Sequence, residues 1–195
     1  MTETTNRLET NGPENDRPEP AGENTVNGFI VTDGAAELID FLVAVFDATE
    51  IDEARSPDIF AGDGSLIHAE VRIGNSKIML ADRKEDWPFT PALTQVYVAD
   101  AAETLRRAVE RGATVLTEVS PFYGGYDIAR FLDPWHNVWW LFASAADSAT
   151  TADTSSEDSE EWSESSWEPP TEPDAVYTTL LDAMRNLADP PVDRR

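Results

Sequence analysis

Two stretches of this chain repeat one pattern, and a repeat constrains a fold more tightly than any single motif. FIVTDGAAELIDFLVAVFDATEI (29–51) and VYVADAAETLRRAVERGATVLTE (96–118) each run from an apolar strand through an aspartate into a helix, then into a new extended run. In the second copy Asp100 and Glu103 have the D-x-x-E spacing of a capping box, Leu105, Ala108 and Val109 form the buried stripe, and Gly112 is the stop. Three extended runs follow each helix. The first copy offers a weak strand near 51–60, then SLIHAEVRIG and KIMLAD around the turn at Gly74, Asn75 and Ser76; the second offers TVLTEV, YDIARFL and NVWWLFA, the last two around Asp133 to His136. The expectation is an α+β fold of two βαβββ modules. Each helix covers one side of its sheet, and the other sides form a curved, mixed, cavity-enclosing surface.

The rest of the chain divides around this unit. Residues 1–24 are polar, without hydrophobic periodicity, and cannot offset the entropy of being ordered, so a disordered arm is expected there. The domain is expected over 25–143. Residues 144–174 read as an acidic Ser/Thr-rich linker without a basic residue, broken only by Trp162 and Trp167. Over 175–189, Tyr177, Leu180, Leu181, Met184 and Leu187 recur at spacings of three and four, and Pro190 and Pro191 end the pattern. That is a short amphipathic helix. A lone helix of this length is marginal in water, so its stripe should dock on its own domain, on a dimer mate or on another protein partner.

Charge excludes two classes of partner. With 38 acidic against 14 basic side chains the net charge is −24, a field that repels both nucleic acid and anionic membrane surfaces. Lysine occurs only at positions 77 and 84, while Asp, Glu, Thr and Ala abound, which reads as adaptation to concentrated salt. Cysteine is absent, which removes disulfides and thiolate chemistry. No stretch approaches the roughly 18 apolar residues of a membrane span, so a cytoplasmic protein is expected.

Four motifs in order carry a resemblance: HAEVRIGNS (68–76), RGATVL (111–116), FYGGYD (122–127) and DPWHNVW (133–139). The chain resembles the vicinal oxygen chelate superfamily, which contains glyoxalase I, extradiol dioxygenases, fosfomycin-resistance enzymes and bleomycin-binding proteins, and looks closest to its PhnB-like branch. The match covers about residues 26–143. It departs from the branch at Gly125 and Tyr126, where an acid and an arginine are expected, and at His136, where the turn has glycine. Metal-dependent relatives take one ligand from the first and last strand of each module. The resemblance lays Asn27, Met79, Leu93 and Trp140 on those positions, and none is a useful ligand. Moving one residue either way offers Val26, Gly28, Ile78, Leu80, Ala92, Thr94, Trp139 and Leu141, which is no better. No metal and no cofactor is therefore expected. The resemblance also implies a homodimer, because relatives pair modules between chains.

Strand parity names the candidate site. Consecutive strand residues face opposite sides, so Trp140 and Phe142 line the cavity while Trp139 and Leu141 pack under the helix. On the same argument Met79, Gln95 and Tyr97 face inward, with Asn27 at the strand entry. Two readings of Trp140 stay open, a stacking platform for a ligand or a filler that collapses the cavity. His136 reads as a turn residue tolerant of positive φ. In SLIHAEVRIG the set Ala69, Val71 and Ile73 faces the helix, which sends His68, Glu70 and Arg72 to the cavity side. His68 beside Glu70 has the makings of a general acid or base, and equally of a cross-strand surface network. Three functions follow: a metal-independent binder of a small, partly apolar organic ligand; a glyoxalase-like lyase or isomerase, metal-free through His68 and Glu70 or metal-dependent; and a dimeric scaffold acting through its acidic tail and C-terminal helix.

Overall fold

The structure, a computed structural model, describes residues 24–145 and 174–191. The expected arm and linker fall, apart from their end residues, outside the described residues. The first module comprises β1 (Gly28–Thr32), α1 (Ala35–Phe46), β2 (Thr49–Glu50), β3 (Ser56–Pro57), β4 (Leu66–Ile73) and β5 (Ser76–Asp82). The second comprises β6 (Leu93–Tyr97), α2 (Ala101–Glu110), β7 (Thr114–Phe122), β8 (Tyr126–Leu132) and β9 (Val138–Ser144). The sheets run β1-β5-β4-β2, with β3 also on β4, and β6-β9-β8-β7. In both, the opening strand lies parallel to the last and every other pairing is antiparallel. The repeat in sequence is thus a repeat in topology. Its weak point is where it was expected: the run near 51–60 forms only two short edge pieces, separated by a single 3-10 turn at Asp52–Ala54.

The two helices start differently, for a reason visible in their caps. Asp100 accepts the Glu103 N–H at 2.9 Å, as the D-x-x-E spacing predicts, but the Glu103 carboxylate turns to Arg106 and Arg107 instead of closing the box. At α1 the preceding Asp33 is not the cap, because it pairs with Arg83. Gly34, at φ 86°, leads into the helix, and Asp82 from the end of β5 accepts the Gly34 and Ala35 N–H groups at 2.8 and 2.9 Å. Its other oxygen takes the Leu66 N–H at 2.6 Å, so one carboxylate ties helix start, strand end and strand start together.

A single core joins the modules. Leu38, Leu42 and Val45 of α1 are buried with Ala69, Val71 and Leu80 of the first sheet, while Phe41 and Phe46 reach Phe131 and Trp139 of the second, the Phe46 and Trp139 rings being 5.0 Å apart. Helices α1 and α2 pack on one another in this same layer. The two βαβββ modules with their mixed sheets are those expected from the sequence, and the edge strands β1 and β6 of the two sheets border one cleft. A further helix, α3 (Ala175–Asn186), lies against β7 on the open face of the second sheet. No helix among the described residues is long and apolar enough to cross a membrane.

Candidate functional site

The turn between β8 and β9 fixes the register of the site. Asp133, 1% exposed, accepts the backbone N–H groups of Trp135 and Asn137 at 2.9 and 2.8 Å, the Asn137 amide at 2.9 Å and the Trp139 indole N–H at 2.8 Å. Burial pushes this carboxyl above the ordinary aspartate range, and the indole leads the donors that oppose the shift. His136 has φ 64°, as a turn residue in the glycine position would. Its Nδ1 lies 2.5 Å from the Ala188 carbonyl, so it also holds the segment after α3. This turn sets Arg130 opposite Trp140, Phe131 opposite Trp139, and Ile128 opposite Phe142.

Parity then separates the tryptophans as predicted. Trp139 is fully buried against α1. Trp140 and Phe142 are half-buried on the open face, where β6 adds Gln95 beside Trp140 and Tyr97 beside Phe142. Phe142 gathers the rings of Tyr97, Phe122, Tyr126 and Trp140 at 5.8 to 6.2 Å, an aromatic pavement along the sheet. Met79 and Asn27 are not part of it. Met79 stands on the first sheet between Phe29 and Glu70, and the Asn27 amide donates to the Asn24 carbonyl at 3.1 Å. Of the six expected ligand-binding residues, Gln95 and Tyr97 line the cleft between β1 and β6, Trp140 and Phe142 continue from them along the second sheet, and Met79 and Asn27 stand apart on the first module.

Arg130 was not foreseen. It is 2% exposed, its guanidinium lies 4.1 Å over the Trp140 ring, and Nη1 donates to Thr117 Oγ1 at 3.1 Å and to the Val176 carbonyl of α3 at 2.6 Å. Desolvation lowers its pKa to about 10, against the field of Asp174. A signal for it existed, since the hairpin through Asp133 to His136 places position 130 opposite 140 once the turn length is fixed.

On the first sheet His68 Nε2 is 3.2 Å from Glu70 Oε1, and Lys77 Nζ is 2.9 Å from the other oxygen. Lys77 first, then His68, holds the Glu70 carboxyl below the ordinary glutamate range. The side chains of His68 and Glu70 are 35% and 18% exposed, so the pair is reachable from solvent.

A cleft of about 870 Å³ opens between the sheet edges β1 and β6, lined in part by Val26, Phe29, Lys77, Leu93, Gln95 and Tyr97. The positions the resemblance offers for metal ligands, Asn27, Met79, Leu93 and Trp140, carry an amide, a thioether, an alkyl chain and an indole lying under a guanidinium. Among the described residues no group of three or more His, Cys, Asp or Glu side chains is placed to hold an ion.

Comparison with known proteins fits this architecture. The model of the Glyoxalase/Bleomycin resistance protein/Dioxygenase superfamily matches residues 23–141, and the chain belongs to that superfamily. An uncharacterized protein of Mycobacterium tuberculosis is 33% identical over 130 residues, covering 61% of this chain and 74% of the relative. Among solved structures, a glyoxalase/bleomycin resistance protein/dioxygenase family enzyme from Burkholderia phytofirmans shares the fold with a TM-score of 0.51 at 21% identity, over 60% of this chain and 96% of its own. The PhnB protein of Bacillus cereus does so with a TM-score of 0.50 at 18% identity, over 62% and 99%.

Proposed function

We propose that this chain is a metal-independent binding protein for a small, partly apolar organic molecule, and that it belongs to the PhnB-like branch of its superfamily. The observation that carries the reading is the position of Tyr97. This residue lines the cleft between β1 and β6 and also touches Phe142 and Tyr126, so the cleft continues into the aromatic pavement. Flat rings with a few polar groups beside them, here Gln95 and Lys77, suit retention of a ring compound better than redox or hydrolytic chemistry. The homodimer belongs to the same reading. Both β1 and β6 have a free edge, and Phe29 and Leu93 on these strands are exposed large apolar residues, which a second copy would cover.

The test uses neutral ring compounds, with tryptophan fluorescence as the readout. At least one compound should quench the protein, and Tyr97→Ala should weaken its binding by about tenfold, as loss of one stacking aromatic does. A broad neutral library without a single binder would overturn the reading. Light scattering should give a dimer at molar salt, and a monomer there would remove that part of it.

One distance favours a second reading. The His68 imidazole is oriented by a carboxylate that Lys77 keeps ionised, the arrangement of a general base. Turnover of a bound compound that His68→Gln abolishes while leaving its affinity unchanged would make the protein an enzyme.

A further inference from the structure

We propose that Arg130 and Trp140 form a binding site for an aromatic carboxylate, and that α3 is its displaceable lid, with the Val176 carbonyl standing where the carboxylate goes. The proposal rests on the small-molecule reading above and deepens it by naming the ligand class.

The first observation is an incomplete cation. Arg55, Lys77, Arg83, Lys84, Arg106 and Arg107 each hold a carboxylate, and in this strongly acidic chain such partners are plentiful. Arg130 is more deeply buried than any of them and, among the described residues, holds none. A buried guanidinium is stabilised when its fork meets a carboxylate in two parallel bonds. Here one nitrogen meets a hydroxyl and a peptide carbonyl, and the buried Nε–H donates to nothing. The Trp140 indole N–H, directly beneath, is also buried and without a partner. Both unpartnered donors thus belong to one stacked pair of side chains, and the aromatic pavement begins beside it. A carboxylate in place of the Val176 carbonyl would take the two outer guanidinium nitrogens in parallel bonds, with its ring directed toward Phe142.

The second observation is that α3 is held lightly. Of its residues only Val176 is buried, while Tyr177 and Met184 of the expected apolar stripe stay exposed. Leu180, Leu181 and Leu187 are only half-buried, and among the described residues the remaining ties are polar: Thr179 to Thr117, Ala188 to His136, and Asp189 to Arg83. Polar ties at a surface exchange with water at small net cost, which suits an element that opens.

Calorimetry with 2-naphthoate and its uncharged analogue 2-naphthamide tests the site, and amide hydrogen exchange tests the lid, both on the full chain. The parent should bind naphthoate at least about tenfold more tightly than naphthamide, the difference a charge-assisted bidentate pair supplies. Arg130→Met should erase that preference, with melting confirming that the variant folds. Val176→Ser, which loosens the lid but leaves the site, should tighten naphthoate binding by roughly threefold. The α3 amides should exchange faster than those of β8 and β9 in the free protein, and faster still with naphthoate. Equal affinity for the two naphthyl compounds in both parent and Val176→Ser would overturn the site. Exchange of α3 as slow as the core strands would overturn the lid. Neutral compounds that bind through Tyr97 while these results fail would leave the broader binding reading standing and remove only this one.

Discussion

Replacing Trp139 with phenylalanine isolates the interaction that positions the whole open face. The indole is fully buried and its N–H reaches Asp133 at 2.8 Å, so the variant keeps most of the ring and deletes one donor to a buried carboxylate. A hydrogen bond to a buried charged acceptor is worth about 1.5–3 kcal/mol, and the smaller ring leaves a void between Phe46 and Phe131 that costs about 1 kcal/mol more. A loss of about 3 kcal/mol should lower the melting temperature of a domain this size by about 10 °C. Asp133→Ala removes the acceptor, so in that background Trp139→Phe should cost only the void, and the cycle should show a coupling of about 2 kcal/mol. The deficit should also depend on pH. Burial raises the folded pKa of Asp133 above its unfolded value, so folding favours the protonated form; that contribution is fully present below the unfolded value and lost as pH rises through the folded one. Removing the indole donor pushes the folded value further up, so the Trp139→Phe deficit should shrink in acid, where the carboxyl no longer needs the donor. Chemical denaturation at pH 7 and in the acid range reads both effects. A coupling below about 0.5 kcal/mol, or a deficit that grows in acid, would refute the assignment of Asp133 as the organiser of this turn.

Two further outcomes are expected. Arg106 and then Arg107 hold the Glu103 carboxyl down to about 2, so its contribution is present above the ordinary value and lost as pH falls from about 4.5 toward 2; Glu103→Gln should flatten the acid limb of the stability profile, and an unchanged limb would show that these exposed pairs do nothing. Because a chain of net charge −24 repels itself, melting temperature should climb from dilute buffer toward molar salt, and a flat dependence would sink the reading of adaptation to concentrated salt.

What the sequence revealed was whatever depends on local period. Helix α2 and its cap followed from Asp100, Glu103 and Gly112, and the faces of His68 to Arg72 in β4 and of Trp139 to Ala143 in β9 followed from alternation, which is why Trp139 and Trp140 separated correctly. What it concealed depends on how two amphipathic layers meet. Both helices have one buried stripe, and a stripe records that a side is covered without recording by which sheet; only Phe41 and Phe46, which reach across to Phe131 and Trp139, decide that the helices lie between the sheets. The Asp82 cap on α1 was concealed for a similar reason, since it lies 47 residues from the N–H it accepts. In α3 the spacing was legible, and Leu180, Leu181 and Leu187 of its stripe are half-buried, yet the one fully buried residue is Val176 at the helix start, where the Arg130 contact adds to the stripe.

That last difference joins two ideas that the sequence kept apart. Read as a string, the aromatic run at 139–142 and the terminal helix at 175–186 belong to separate functions, one for a ligand and one for a partner, with an acidic stretch between them. In the fold, the Val176 carbonyl at the start of that helix lies on the guanidinium that covers Trp140, so neither surface can be altered without the other. Deleting the tail would expose a buried cation and two unpaired donors, and filling the site would unseat the tail. By linkage, whatever free energy a ligand spends in moving α3 is the free energy by which α3 weakens that ligand. A truncated chain that binds more tightly than the full one, and melts lower without ligand, is the signature of that reciprocity; equal affinities would mean that the helix and the aromatic face, though in contact, act independently.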